Sequence, residues 1–201
     1  MSAVASYVDE MLKVSEWTSN FRVLNALLAT PASRTMHIVQ RTWDPPVPPF
    51  RFAASGISLY FVCSSLSGLG DQSFAAAIAQ PVLFTIFSLL FLAITYKIFR
   101  DVSKAPRTYE EFLVLAAIVN GVYGYLTAGV ALLSFLNVEW GVIGLAAMSV
   151  YMCAYTLRAY KEFWGMSYKN IIVYSLLASV GIFIALGVVL AIFMVLIANT
   201  G

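Results

Sequence analysis

The chain has 201 residues, of which 61% are hydrophobic and 11% charged, and it carries a formal net charge of +2. The charged share is about half that of soluble domains, and no soluble core absorbs so many apolar side chains. The small charge and the lack of basic runs exclude a nucleic-acid surface, so the composition points to an all-α polytopic membrane protein.

Residues 1–50 are the one sizeable polar region and read as a cytoplasmic arm. Apolar residues recur as Val4, Tyr7, Val8, Met11, Leu12, Phe21, Leu24 and Leu28, with Asp9, Glu10, Lys13, Glu16 and Arg22 between them. That is amphipathic helix spacing. Such a helix lies on the bilayer or on its own bundle, or else docks a partner. Ser19 and Asn20 can break it into two shorter helices, Thr30 and Pro31 end it, and Thr35 to Gln40 reads as a short extended piece. No uninterrupted apolar run occurs in these residues, so no cleavable signal peptide is expected. Pro45, Pro46, Pro48 and Pro49 then favour a stiff extended segment that leads into the membrane, with Trp43 and Phe50 at the interface.

Residues 51–201 read as a domain of five transmembrane helices, with spans at about 52–69, 75–99, 112–136, 142–160 and 171–198. The first span carries Ser55, Ser58, Ser64, Ser65 and Ser67, which places it inside the bundle. Gly70 and Asp71 form a turn; Pro81 falls near the start of the second span, and Lys97 and Arg100 can snorkel at its end. Thr108 followed by Glu111 is a capping box that opens the third span. Leu113 to Leu136 holds no charge. In it Ala116, Asn120, Gly124 and Ala128 recur every fourth residue, with Gly121 beside them and Tyr123 and Tyr125 flanking Gly124. A ridge of small residues lets another backbone approach, and an amide in hydrocarbon seeks a partner. This helix is therefore the expected packing centre. Glu139-Trp140-Gly141 reads as a tight turn, and residues 161–169 as a loop with Phe163 and Trp164 at the headgroups. Ser167 can cap the last span, which carries the small-residue pairs Gly181/Ala185 and Gly187/Ala191.

With five spans, one side of the membrane receives Lys13, Arg22, Arg34, Arg41 and Arg51, then Lys97, Arg100, Lys104 and Arg107, then Arg158, Lys161 and Lys169. These are all 12 basic residues. By the positive-inside rule the amino terminus is cytoplasmic and the carboxy terminus outside or lumenal. Four or six spans would scatter the charges.

Chemistry-bearing patterns are few. The single histidine, His37, has no companion at metal-ligand spacing. Gly121-Val122-Tyr123-Gly124 lies in an apolar helix without a lysine and is no phosphate loop. Cys63 and Cys153 lie in apolar runs and read as packing residues. Acidic residues are missing from the middles of the spans, which counts against proton coupling. Asn120, at mid-membrane depth, reads as an interhelical hydrogen-bonding group, with a substrate contact as the alternative. The expectation is a protein with no catalytic residues, metal or cofactor.

The five-span layout, the Tyr123-Gly124-Tyr125-Leu126 motif in the third span, and Asp44 and Pro45 within Trp43 to Pro49 together resemble the Yip domain family of Ypt/Rab-interacting membrane proteins. Tyr123 to Leu126 is similar to the family's glycine–tyrosine motif, and Asp44-Pro45 to its Asp-Leu-Tyr-Gly-Pro approach to the first span. Gly129 and Ala131 stand where the family often has proline. Trp164-Gly165-Met166-Ser167 is similar to a glycine–serine junction of prokaryotic members. The resemblance implies a cytoplasmic amino-terminal region, five close spans and, in eukaryotic relatives, binding of small GTPases. The short arm and the degraded Asp44 region point to a prokaryotic member and a bacterial inner membrane rather than Golgi or endoplasmic reticulum. The expected function is a scaffold, adaptor or accessory subunit whose partners are membrane lipids, membrane proteins or further copies of itself. The alternative is a transporter or channel for a neutral solute or lipid.

Overall fold

The computed structural model describes residues 17–43, 48–66, 91–103 and 107–198. Every regular element among them is a helix. These are α1 (Trp17–Ala29), α2 (Pro31–Val39), α3 (Pro49–Leu66), α4 (residues 91–102), α5 (Tyr109–Leu136), α6 (Val138–Trp164) and α7 (Tyr168–Ala198). Two of them, α5 and α6, are long and apolar enough to cross a membrane, and Tyr168–Ile184 of α7 is a shorter apolar stretch. Residues 1–16, the 44–47 segment with Asp44 and Pro45, the Gly70-Asp71 turn, most of the expected second span with Pro81, and residues 199–201 lie outside the described residues. The chain forms two compact units: Met1–Asp71 with Arg107–Phe163, and Gln72–Pro106 with Trp164–Gly201.

The first unit is built on a helical hairpin. Helix α5 starts on the expected capping box. The Glu111 amide donates to Thr108 Oγ1 at 3.2 Å, and the Thr108 amide donates to Glu111 Oε2 at 2.9 Å. Only Asn137, with extended backbone, separates α5 from α6. Its Oδ1 accepts the Glu139 amide at 2.7 Å, which is how an N-cap starts a helix. The expected turn at Glu139-Trp140-Gly141 is therefore absent. Gly141 serves packing instead, because the space its side chain would need is held by Ser134. From this tip the two helices descend antiparallel and in register. Thr127 Oγ1 lies 3.5 Å from Met148 Sδ, and the rings of Phe112 and Phe163 are 6.2 Å apart near the base. Arg107 closes the base: its Nε donates to the Phe163 carbonyl at 3.0 Å, and its guanidinium lies over the Phe163 ring. A cation there also suits the carboxy-terminal end of the α6 dipole.

The arm differs from its expected form in two places. Ser19 and Asn20 lie within α1, where the buried Asn20 amide bonds across to α3 rather than to its own backbone, and the earlier part of the amphipathic run lies outside the described residues. Residues 35–39 are helical, not extended. Pro31 sits in the first turn of α2, where its missing N–H costs nothing, and the Thr35 hydroxyl is buried 2.7 Å from Tyr155 OH. Both helices pack on the hairpin through Leu27 and Ile38, which join Phe52, Ile118, Val122, Tyr125, Met148, Met152 and Tyr155 in one apolar cluster.

In the second unit α4 and α7 run antiparallel. Phe99 packs on Tyr174 with centroids 6.1 Å apart, and Ile94 faces Gly181. Lys97 and Arg100 are exposed. The expected loop at 161–169 shrinks to Gly165, Met166 and Ser167. Phe163 and Trp164 are buried rather than displayed at an interface, Trp164 against Phe99 at 5.6 Å, so the helix continues through them. Gly165, at φ +62°, ends it in the left-handed region that glycine tolerates, and Ser167 Oγ accepts the Asn170 amide as the expected cap.

Candidate functional site

Helix α3 lies parallel to α5, and the two meet through glycines. A Cβ on Gly124 would stand 2.6 Å from the Gly56 carbonyl carbon and 2.8 Å from the Ile57 nitrogen, both backbone atoms. A Cβ on Gly56 would stand 2.6 Å from the Gly121 carbonyl oxygen, and one on Gly121 2.5 Å from the Phe52 ring. At Gly124 and Gly56 main chain meets main chain, so no rotamer change could make room for a methyl group there. Farther along, Cys63 packs with Ala128 and Ala131, which keeps α3 close to α5 for another two turns.

A buried polar knot seals the crossing. Ser55 Oγ donates to its own helix at the Phe52 carbonyl, 2.9 Å away. It accepts from Asn20 Nδ2 at 2.9 Å and, since its one proton is used, from Tyr125 OH at 2.6 Å. Three segments distant in sequence are tied at one hydroxyl. The Tyr125 ring is further held between Phe21 and Phe52, at 5.4 and 5.3 Å.

The expected small-residue ridge divides at this point. Ala116, Gly121, Gly124, Ala128 and Tyr125 are buried, whereas Asn120 and Tyr123 are exposed. Asn120 lies about 100° round the helix from Gly121, which takes it off the face that meets α3. Neither Asn120 nor the Tyr123 hydroxyl has a side-chain hydrogen bond among the described residues. On α7, Gly181 is half-buried with Ile94 as its one near neighbour, and Gly187 is exposed with nothing within 4 Å. The side chains of Ala185 and Ala191 lie outside the described residues. Cys63 is a packing residue as expected, but Cys153 is exposed, because it falls on the face of α6 turned away from α5. His37 is exposed, 2.9 Å from Thr42 Oγ1, and among the described residues no cluster of His, Cys, Asp and Glu could hold a metal.

Two contributors were not recognisable from spacing. Gly56 is the partner of Gly124, and its signal was the run of small residues Ala53-Ala54-Ser55-Gly56 in the first span. Asn20, which reads as a helix breaker, is the polar anchor of the arm.

No family model, curated protein or solved structure matches this chain.

Proposed function

We propose that the chain is a non-enzymatic, multi-pass membrane scaffold or accessory subunit, Yip-like in layout, with five spans and a cytoplasmic amino terminus. Its partners are membrane proteins or further copies of itself. The observation that carries the reading is the division of α5. The glycine face is used up inside the chain by Gly56 and Phe52, while Asn120 and Tyr123 remain exposed near the middle of an otherwise apolar helix. Polar side chains left over on an apolar helix are groups that another helix satisfies. The apolar length of α5 and α6 and the one-sided placement of the basic residues support the membrane topology. Binding of a small GTPase rests on the family resemblance alone and is the narrower form of the same proposal.

A second reading, transport of a neutral solute or lipid, has Asn120 as its support, since an exposed amide can also meet a solute. Gentle-detergent purification from the native membrane, with mass spectrometry of what accompanies the chain, separates the two. A stable set of co-purifying membrane proteins, or a defined homo-oligomer, is expected. A lone chain carrying bound solute or lipid contradicts the scaffold reading and supports transport.

A further inference from the structure

The arm is packed on the hairpin well above its base. The first turns of α1 touch α5, through Asn20 on the Ser55–Tyr125 knot and Phe21 on the Tyr125 ring. Its last turn touches α6, where Tyr151 OH donates to the Leu28 carbonyl at 3.4 Å. The pairings of Ser134 with Gly141 and of Thr127 with Met148 put Tyr125 and Tyr151 level to within a turn, so α1 runs across the hairpin. Helix α2 then leads down toward the base. Its Thr35 bonds Tyr155, and Arg41 just beyond it reaches Glu110 at 2.7 Å.

Lengths decide how deep this puts the arm. From Tyr125 to the tip at Asn137, α5 rises about 18 Å at roughly 1.5 Å per residue, and a hydrocarbon core is ~30 Å thick. The part of the hairpin beyond α1 is too short to cross a bilayer. The whole uncharged run from Leu113 to Leu136 is long enough, and Tyr125 lies midway along it. A bilayer that this hairpin crosses therefore extends past α1 toward the base. Asn120 and Tyr123 keep their place inside the run, with Tyr123 level with α1.

The arm turns a polar face outward at that depth. In the first unit Ser19, Arg22 and Asn25 of α1 are exposed, as are Arg34, His37 and Gln40 along α2. Residues 17–43 contain three arginines and no acidic residue. A charged side chain at membrane depth needs water or an opposite charge. A protein cover over this face would have to bring carboxylates. Residues 67–106 and 164–201 hold two, Asp71 and Asp101, and are otherwise strongly apolar. Water is the cover that the chemistry of the face asks for.

Resting on the membrane reading above, we infer that α1 and α2 form one wall of a water-filled recess that opens at the base of the hairpin, on the cytoplasmic side, and reaches about the middle of the bilayer. The Arg41–Glu110 pair stands at its mouth, and Arg22 and Asn25 stand at its inner end. Beneath the arm, Leu27 and Ile38 close over the apolar cluster, so water stops at the outer face of α1 and α2.

The test uses the full chain with Cys63 and Cys153 replaced by alanine, carrying Asn25→Cys on α1 or Gln40→Cys at the end of α2, both exposed positions. The probe is a vesicle of equal parts phosphatidylcholine and phosphatidylglycerol. Flotation in alkaline carbonate shows whether the chain inserts. A bimane fluorophore on each cysteine shows depth, through its quenching by nitroxides placed at mid-acyl chain or on the headgroup. Reaction of each free thiol with an anionic, membrane-impermeant methanethiosulfonate shows contact with water. Asn25→Cys is expected to give a severalfold higher ratio of mid-chain to headgroup quenching than Gln40→Cys, and to react with the reagent at a comparable rate. Failure to insert overturns the membrane reading and the recess together. Insertion with equal quenching ratios at the two positions overturns the recess and leaves the membrane reading standing. Insertion with Asn25→Cys deep but unreactive means that protein or lipid covers α1, and likewise overturns the recess.

Discussion

At the scale of single residues, the structure separates glycines that permit a contact from those that permit nothing. Gly124 faces backbone, whereas Gly129, one helical turn and a little more away, has nothing within 4 Å of where a Cβ would stand. Gly124→Ala should lower stability by about 1–3 kcal/mol, the usual cost of forcing a methyl group into a packed site. Gly129→Ala should be neutral or stabilising by up to about 1 kcal/mol through helix propensity. Thermal unfolding of the purified chain in mild detergent checks both, and equal effects would mean that the crossing is loose. The polar knot makes a second ordered prediction. Tyr125→Phe removes one hydrogen bond and leaves Ser55 bonded to Asn20 and Phe52, so about 0.5–1.5 kcal/mol is lost. Ser55→Ala removes the acceptor that Asn20 Nδ2 and Tyr125 OH share, at about 1–3 kcal/mol for a buried donor left unpaired, and should cost more. A Tyr125→Phe variant as damaged as Ser55→Ala would place the weight on Tyr125 alone.

At the scale of elements, helix ends explain where reading the sequence succeeds. The Thr108–Glu111 capping box and the Ser167 cap are local patterns, satisfied within three residues, and both were legible. The end of α2 was not. Its two closing bonds, Thr42 N–H to the His37 carbonyl and Arg41 N–H to the Ile38 carbonyl, form a Schellman motif with arginine at φ +57°, where glycine is usual. Arg41 also reaches Glu110 at 2.7 Å, but both side chains are largely exposed, so water screens most of that attraction. Arg41→Gly should therefore be neutral or stabilising by up to about 1 kcal/mol in thermal unfolding, as the left-handed strain is relieved. Clear destabilisation would show that the tie from α2 to α5 matters more than the strain. The tip of the hairpin was misread for a related reason. Glu139-Trp140-Gly141 has the composition of a turn, yet Gly141 is there for Ser134 and Asn137 does the turning. A glycine required by packing and a glycine required by φ look alike until the partner helix is in place. Gly56 and Asn20 were illegible for the same reason, since each is defined by a contact with a distant segment.

At the scale of the whole molecule, hydrophobic content predicted long apolar helices, and the structure shows how that content is used in the first unit. Apolar surface is buried where the arm and α3 embrace the base of the hairpin, and is exposed where α5 and α6 continue beyond them. A chain arranged in this way has used its glycine face for its own fold, and replacing Gly124 tests folding rather than assembly. On the proposed reading, assembly goes through the exposed pair Asn120 and Tyr123. The most direct measurement is therefore the mass of the complex extracted in gentle detergent from native membranes, for the wild type and for the Asn120→Leu, Tyr123→Phe double variant. Both side chains are exposed, so the variant should unfold within about 0.5 kcal/mol of the wild type, as surface changes usually do. The account predicts a wild-type particle larger than one chain and a variant particle reduced toward a single chain at unchanged stability. A wild type that runs as a lone chain, or a variant complex of undiminished mass, would contradict it.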